Sequence, residues 1–438
     1  MTRVKIDVTG AGIAVRCEAC GGSLDERTSY VACPTCGALL EVVQTPPTAR
    51  GRALQARFDD RLGVDALRGS AAARSGVWRY RELVLPNAGE AIASHPEGNT
   101  PLLERASITR FAGVESLGLK HEGHNPTGSF KDRGMTVAVT QALRIGASAV
   151  ACASTGNTSA SLAAYAAQAG IPALVLVPAG LVALGKLAQT IAYGARTLLV
   201  RGDFDDCLRL VREAADRLGV YLANSVNPFR IEGQKTIVFE LLQQLGWEAP
   251  DWSALPAGNL GNTAAFGKAL REAHELGLIA RVPRLAAVQA SGAAPFARAF
   301  AERFTTRHRV RAETVASAIR IGDPASWDRA VEAIRYTKGI VVAVDDEDIM
   351  EAKATIDASG VGCEPASAAS VAGVRALVSR GEIAVGERVV AVLTGHVLKD
   401  PETLIREVGR DGSGSRWSRP IEIDAELAAV EEVLRASA

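Results

Sequence analysis

The sequence predicts an α/β protein built on buried parallel sheets, and three observations support this. Short apolar runs of strand length recur at residues 148–153, 173–177, 197–200, 285–288, 340–344 and 389–393. They alternate with helical patterns of about 10 to 15 residues, the rhythm of βαβ units. Several runs lead into their helix through a turn bearing glycine, as at Gly156, Gly258 and Gly261. With 438 residues, 47% of them hydrophobic, the chain can build two or three domains, each with its own core.

Cys17, Cys20, Cys33 and Cys36 form C-x2-C-x12-C-x2-C near the start. In a reducing compartment that spacing reads as a metal site rather than two disulfides. Each C-x2-C pair can place two thiolates on one tetrahedral zinc, and Gly21 and Gly37 follow the pairs where a knuckle turn needs room. A redox dithiol pair or a metal-free ribbon are the alternatives. The basic face is thin, Arg16 and Arg27 only, so the ribbon reads as a structural appendage whose removal lowers stability more than it alters chemistry. Cys152, Cys207 and Cys363 stand alone in apolar or helical surroundings and read as inert core thiols. A stiff Thr45-Pro46-Pro47-Thr48 linker follows the ribbon, then one amphipathic helical pattern over residues 54–67. Near the end, Asp411-Gly412-Ser413-Gly414-Ser415 reads as a flexible joint before a terminal helix over residues 425–435.

Lys plus Arg equals Asp plus Glu, 49 each, which argues against nucleic acid as a main partner. No apolar run approaches the roughly 20 residues of a membrane helix, and residues 1–7 carry no signal-peptide core. A cytoplasmic protein without membrane or nucleic-acid partners is expected.

Asn125-Pro126-Thr127-Gly128 is a tight turn: proline fixes φ and glycine permits conformations closed to other residues. Ser129-Phe130-Lys131 then enters a helical segment. A lysine held there against an aromatic ring is partly desolvated, which lowers its pKa and frees the amine as a nucleophile. Such an amine suggests Schiff-base chemistry, for which pyridoxal phosphate is the usual partner. The plain alternative is a surface lysine at a helix start. Ala257-Gly258-Asn259-Leu260-Gly261-Asn262-Thr263 is a glycine-bearing strand-to-helix turn that can present backbone amides to a phosphate. It lacks the lysine of a P-loop and does not fit Gly-x-Gly-x-x-Gly. Ser154-Thr155-Gly156-Asn157-Thr158 is either an ordinary N-cap cluster or a second anion cradle.

The segment from Asn125 to Met135 resembles the lysine motif of fold-type II pyridoxal-phosphate enzymes, and among them the threonine synthases. The Gly-Asn-x-Gly-Asn loop at 258–262 and the segments at 154–158, 224–236, 362–369 and 394–401 are similar to that family as well. The resemblance covers residues 77–405. It implies two open parallel-sheet domains with the cofactor between them: residues 83–134 with 223–410 as the larger, and 135–222 as a smaller mobile one. Residues 1–43, 44–82 and 411–438 would then be the ribbon, a linker with a helical segment, and a tail. It implies pyridoxal 5'-phosphate on Lys131, with Asn157 on its ring hydroxyl, Gly258, Asn259, Leu260, Gly261 and Asn262 on its phosphate, and Thr394 at the pyridine nitrogen. Ser154, Thr155, Thr158, Asn224, Ser225 and Arg230 would receive the substrate, with Arg230 suited to bidentate phosphate recognition.

The implied reaction is that of a carbon–oxygen lyase, O-phospho-L-homoserine plus water giving L-threonine plus phosphate, in a homodimer with one structural zinc per chain. The nearest alternative is a sister enzyme of the same fold acting on O-phosphoserine. From another class, a zinc-ribbon regulatory protein on a dead enzyme fold would lack the intact Lys131, Asn157 and Thr394. The family carries glycine where this chain has Val397, so a different local turn is expected there. No role is assigned to Glu364, and His396 is open between a site residue and a satisfied loop residue.

Overall fold

The computed structural model describes residues 12–62, 69–180, 184–408, 417–418 and 420–436. The expectations for residues 1–7, for the end of the 54–67 helix and for the joint at 411–415 fall outside these. Two compact units are present, residues 1–400 and 401–438. The second contains the helices Pro401–Val408 and Leu427–Ala436.

Among the described residues, thirteen strands make three sheets. β1 (Ile13–Cys17), β2 (Ser23–Asp25) and β3 (Leu40–Gln44) form a small antiparallel sheet in the order β2-β1-β3. Next in the chain come β4 (Leu102–Leu103), β5 (Ser116–His121), β6 (Ala149–Ala153), β7 (Ala173–Pro178), β8 (Arg196–Val200) and β9 (Val220–Leu222). β10 (Trp252–Pro256), β11 (Arg284–Ala290), β12 (Ile340–Val344) and β13 (Arg388–Leu393) complete the set. β6 to β9 form a parallel sheet in the order β8-β7-β6-β9. The remaining strands form a six-stranded sheet, β12-β11-β10-β13-β5-β4, parallel except where β4 runs against β5. All six apolar runs seen in the sequence are strands. β6 and β13 are buried almost throughout, as expected of parallel strands covered on both faces.

The ribbon is not a free appendage. Ile13, Val15, Leu40 and Val42 share one continuous core with Phe229, Phe266 and Leu270. At about 1.5–3 kcal/mol for each fully buried aliphatic side chain, this docking is substantial.

Two glycines let the helix Lys131–Arg144 lie directly on the helix Pro228–Gln234. A Cβ on Gly134 would sit 3.0 Å from the Arg230 carbonyl, and one on Gly233 would land on the Arg133 carbonyl. This backbone-to-backbone approach brings Arg230 beside Lys131.

Candidate active site

The lysine turn, the glycine-bearing loop at 257–263 and the segments at 154–158, 224–236 and 394–401 each follow the C-terminal end of a parallel strand, where open α/β sheets bind ligands. β10, β13 and β5 are neighbours. The segments immediately after them, residues 257–262, 394–396 and 122–131, therefore emerge side by side. β6 and β9 deliver residues 154–158 and 223–230 from the four-stranded sheet. The lysine turn is stitched to the end of β13: Phe130 N–H donates to the Thr394 carbonyl (3.0 Å) and His396 N–H to the Gly128 carbonyl (2.9 Å). Asp132 closes the turn, accepting from Thr127 N–H (2.7 Å) and Thr127 Oγ1 (2.5 Å).

Lys131 is half-buried, its Nζ 4.0 Å from the centroid of the Phe130 ring. Burial, helped by the positive charge of Arg230 and opposed by Glu364, brings its pKa down to about 7. Near neutral pH a large share of this amine is therefore uncharged and nucleophilic.

Behind the lysine lies a buried ionic cluster. The Arg133 guanidinium donates to both Glu122 oxygens (2.7 and 2.8 Å) and to Glu240 (2.7 Å). Lys120 Nζ donates to Glu240 (2.6 Å) and to the Thr100 carbonyl (2.8 Å). Against the desolvation that burial imposes, Arg133 and Lys120 hold Glu240 far below the ordinary carboxylate range. The cluster fixes the first turn of the lysine helix.

The phosphate loop combines a strained backbone with unmet hydrogen bonds. Leu260 adopts φ +63°, a left-handed conformation uncommon outside glycine, and caps the helix Gly261–Glu275. Both side-chain polar atoms of Asn262, the Thr263 hydroxyl, Gln234 Oε1 and the Ser326 hydroxyl are buried and unpartnered. A Cβ on Gly261 would lie 3.8 Å from both Gln234 Oε1 and Ser326 Oγ, so these groups converge on the loop. A cluster of this kind is costly unless a polar ligand fills it. A helix N-terminus with open donors suits a dianionic phosphate, so the residues present fit pyridoxal phosphate.

Opposite the loop, Asn157 Nδ2 reaches Glu364 Oε2 (3.1 Å), and Thr394 Oγ1 lies 3.1 Å from Ser367 Oγ and 3.5 Å from Glu364 Oε1. Burial raises the Glu364 pKa despite Asn157 and the nearby Lys399 and Lys131. Val397 begins a short 3-10 turn, Val397–Lys399, and is absent from the described residues with positive φ, so its β-branched side chain sits on an unstrained backbone. His396 is satisfied locally, its Nδ1 accepting from Leu398 N–H (3.2 Å).

Arg230 is buried, with one guanidinium nitrogen on the Ala223 carbonyl (3.1 Å) and with Nε and Nη2 unpartnered. Ser154, Thr155 and Thr158 are half-buried at the end of β6. Asn224 pairs through both amide atoms with the Ala153 backbone (3.0 and 3.1 Å), which ties the Arg230 loop to β6. Ser225 Oγ accepts from Asn259 Nδ2 (2.5 Å), joining this loop to the phosphate loop.

Residues 93–395 match the family described as "Pyridoxal-phosphate dependent enzyme". A threonine synthase of Methanocaldococcus jannaschii is 42% identical over 96% of this chain and 99% of its own. One of Mycobacterium tuberculosis is 51% identical over 71% of this chain and 85% of its own. The chain belongs to the threonine synthases. The crystal structure of the Escherichia coli threonine synthase, 19% identical, shares the fold with a TM-score of 0.66 over 97% of this chain and 100% of its own.

The sequence reading missed Gln234 and Ser326, and it placed Glu364 at a helix start lining the site without a role. Glu364 had a faint signal: Pro365 at the first helical position makes it the N-cap of the helix Pro365–Ser379. Gln234 and Ser326 had none, because their importance lies in partners they lack.

The four ribbon cysteines gather, with all sulfurs within 4.8 Å of one another. Cys17 and Cys36 are 3.5 Å apart and Cys20 and Cys33 3.7 Å. Thiolates about 2.3 Å from a tetrahedral zinc would be about 3.8 Å apart, so the cluster is compatible with that ion. Gly21 and Gly37 have φ of +70° and +73°, the conformation the knuckles require. The N–H of Thr35 leads the effects that lower the Cys33 pKa to about 6, while in Cys20 and Cys36 the backbone hydrogen bonds that lower it are outweighed by neighbouring thiols and burial, which shift both up.

Proposed function

We propose that the protein converts O-phospho-L-homoserine and water into L-threonine and inorganic phosphate. The observation that carries this reading is Arg230, a buried guanidinium with two open nitrogens beside Lys131. A deaminase of free serine or threonine has no use for such a group, whereas a phosphorylated substrate satisfies it bidentately. Pyridoxal phosphate, when bound, supplies the electron sink for the carbanions of the reaction. Lys131 would hold it until the substrate's amine displaces that link, and the freed, uncharged Lys131 amine then removes the proton from the substrate's α carbon and then one from the β carbon. Asn157 orients the ring hydroxyl of the cofactor and Thr394 its nitrogen. Residues 258–262, with Thr263 and Ser326, hold its phosphate. Arg230, Ser154, Thr155, Thr158 and Ser225 would hold the substrate's phosphate, which leaves from the γ carbon; the γ carbon then takes up a proton, hydroxide from water adds at the β carbon, and the α carbon is reprotonated. Asn224, engaged by Ala153, sets the loop that carries Arg230. Cys17, Cys20, Cys33 and Cys36 bind one structural zinc in the cytoplasm, where they stay reduced.

A second reading, β-replacement on O-phosphoserine, uses the same lysine and phosphate groups. Phosphate release by the loaded enzyme decides between them. With O-phospho-L-homoserine, release should be matched by threonine and exceed that with O-phospho-L-serine by at least about 100-fold in kcat/KM, roughly 2.7 kcal/mol of differential binding. Faster turnover of phosphoserine would overturn the assignment.

A further inference from the structure

The seven-residue helix Pro228–Gln234 carries Arg230 on the face toward the site. Glu232 comes two positions later, about 200° around the helix and so on its back. That back face meets the ribbon. The fully buried Glu232 carboxylate accepts from Gln44 Nε2 (3.0 Å), Lys235 Nζ (2.5 Å) and Lys268 Nζ (2.5 Å). Gln44 also donates to the Val84 carbonyl (2.5 Å), and Lys268 to the Val42 carbonyl of β3 (2.6 Å). Lys268 belongs to the helix whose N-terminus forms the phosphate loop. Arg329, on the helix Trp327–Tyr336 that begins just after Ser326, donates to the Leu40 carbonyl (2.5 Å). One ribbon strand thus holds, from behind, the three helices that present Arg230, the cofactor loop and Ser326.

We propose that the four-cysteine ribbon braces the phosphate-binding face, with Gln44 and Glu232 as positioning residues that set the affinity for the phosphorylated substrate. This rests on the reading of Arg230 as the substrate-phosphate ligand. Charge compensation does not require Gln44: Lys235 and Lys268 already neutralise Glu232, and Lys235 also pairs with Glu272 at 2.8 Å. The Gln44–Glu232 bond adds a fixed distance between β3 and the Arg230 helix. A cleft of about 470 Å³ lined by Gln44, Glu232 and Lys268 runs along this seam, so dense packing does not duplicate the bond.

The test is a double-mutant cycle on the loaded full-length enzyme. Gln44→Leu keeps the size and removes the amide. The expected result is a rise in KM for O-phospho-L-homoserine of about three- to tenfold, because misplacing a positioning group weakens binding steeply. Inhibition by inorganic phosphate should weaken by the same factor, with kcat, the cofactor spectrum and Tm unchanged. Lys268→Met should act in the same direction. In an Arg230→Lys background Gln44→Leu should add little, since the two act through one contact. A lower Tm with unchanged KM overturns the proposal, as does a full additional loss in that background. If Arg230→Lys alone leaves KM and phosphate inhibition untouched, the reading of Arg230 fails, and the brace proposal falls with it for that separate reason.

Discussion

Two groups of buried polar side chains flank the lysine helix, and their hydrogen-bonding states are opposite. In the first, Lys120, Glu122, Arg133 and Glu240 satisfy one another with Thr100 at 2.6–3.1 Å. In the second, Arg230, Asn262, Thr263, Gln234 and Ser326 retain buried atoms without partners. Both are cut off from water and both contain a guanidinium. The first group reads as scaffold, and the second is left with hydrogen-bonding capacity that a ligand would use. Burial of a charge therefore does not separate the two groups here, whereas unmet hydrogen bonds around a strained loop do.

The contrast can be broken at several points. Lys131, set between the groups, is the largest: Lys131→Ala should abolish turnover and the cofactor's covalent link. Borohydride reduction of the wild type should label Lys131, and labelling of Lys235 or Lys399 instead would refute the assignment. Next is Arg133→Met in the satisfied group. It strands Glu122 and part of Glu240 without their main partner, and should cost about 3–5 kcal/mol in chemical denaturation, since breaking a buried pair leaves an uncompensated charge. A loss below about 1 kcal/mol, the range of exposed pairs, would show that the cluster is not scaffold.

In the unsatisfied group Arg230→Lys should leave stability nearly unchanged. It should lower kcat/KM for O-phospho-L-homoserine by about ten- to a hundred-fold, because one mobile ammonium replaces a bidentate fork and a lost charged hydrogen bond is worth roughly 1.5–3 kcal/mol. An equal loss with unphosphorylated amino acids would make Arg230 a structural residue. The smallest effect belongs to Ser326→Ala. The cofactor-free protein should be as stable or more stable by up to about 1 kcal/mol, having lost an orphan hydroxyl, while cofactor affinity falls severalfold. Destabilisation of the cofactor-free form would mean that Ser326 has a structural partner.

Much of this was legible in the sequence. Six strands showed as apolar runs, and the lysine turn, the phosphate loop and the cysteine spacing each carry local chemistry. β5 was missed because its Lys120 and His121 look like surface residues. Lys120 can be buried because Glu240 and Gln244, far along the chain, and the Thr100 carbonyl meet it. β9 is three residues long and β10 ends in proline, so neither offered a clear period. Glu364 meets Asn157 and Thr394 through pairings 207 and 30 residues apart, and the ribbon meets Glu232 across 188 residues. Such long-range contacts leave no trace in a local pattern.

The central claim is that burial beside Arg230 keeps Lys131 as an available amine near neutral pH. It is tested most directly by the pH dependence of covalent cofactor attachment to the cofactor-free protein. An ordinary lysine is protonated up to about pH 10.4, whereas burial and the charge of Arg230 bring the Lys131 pKa down to about 7. The uncharged form is the one that attacks, so the attachment rate should rise with pH and level off above about 7, and Arg230→Met should move that midpoint upward by removing a neighbouring positive charge. A rate still climbing toward pH 10, or a midpoint that ignores Arg230, would contradict the account.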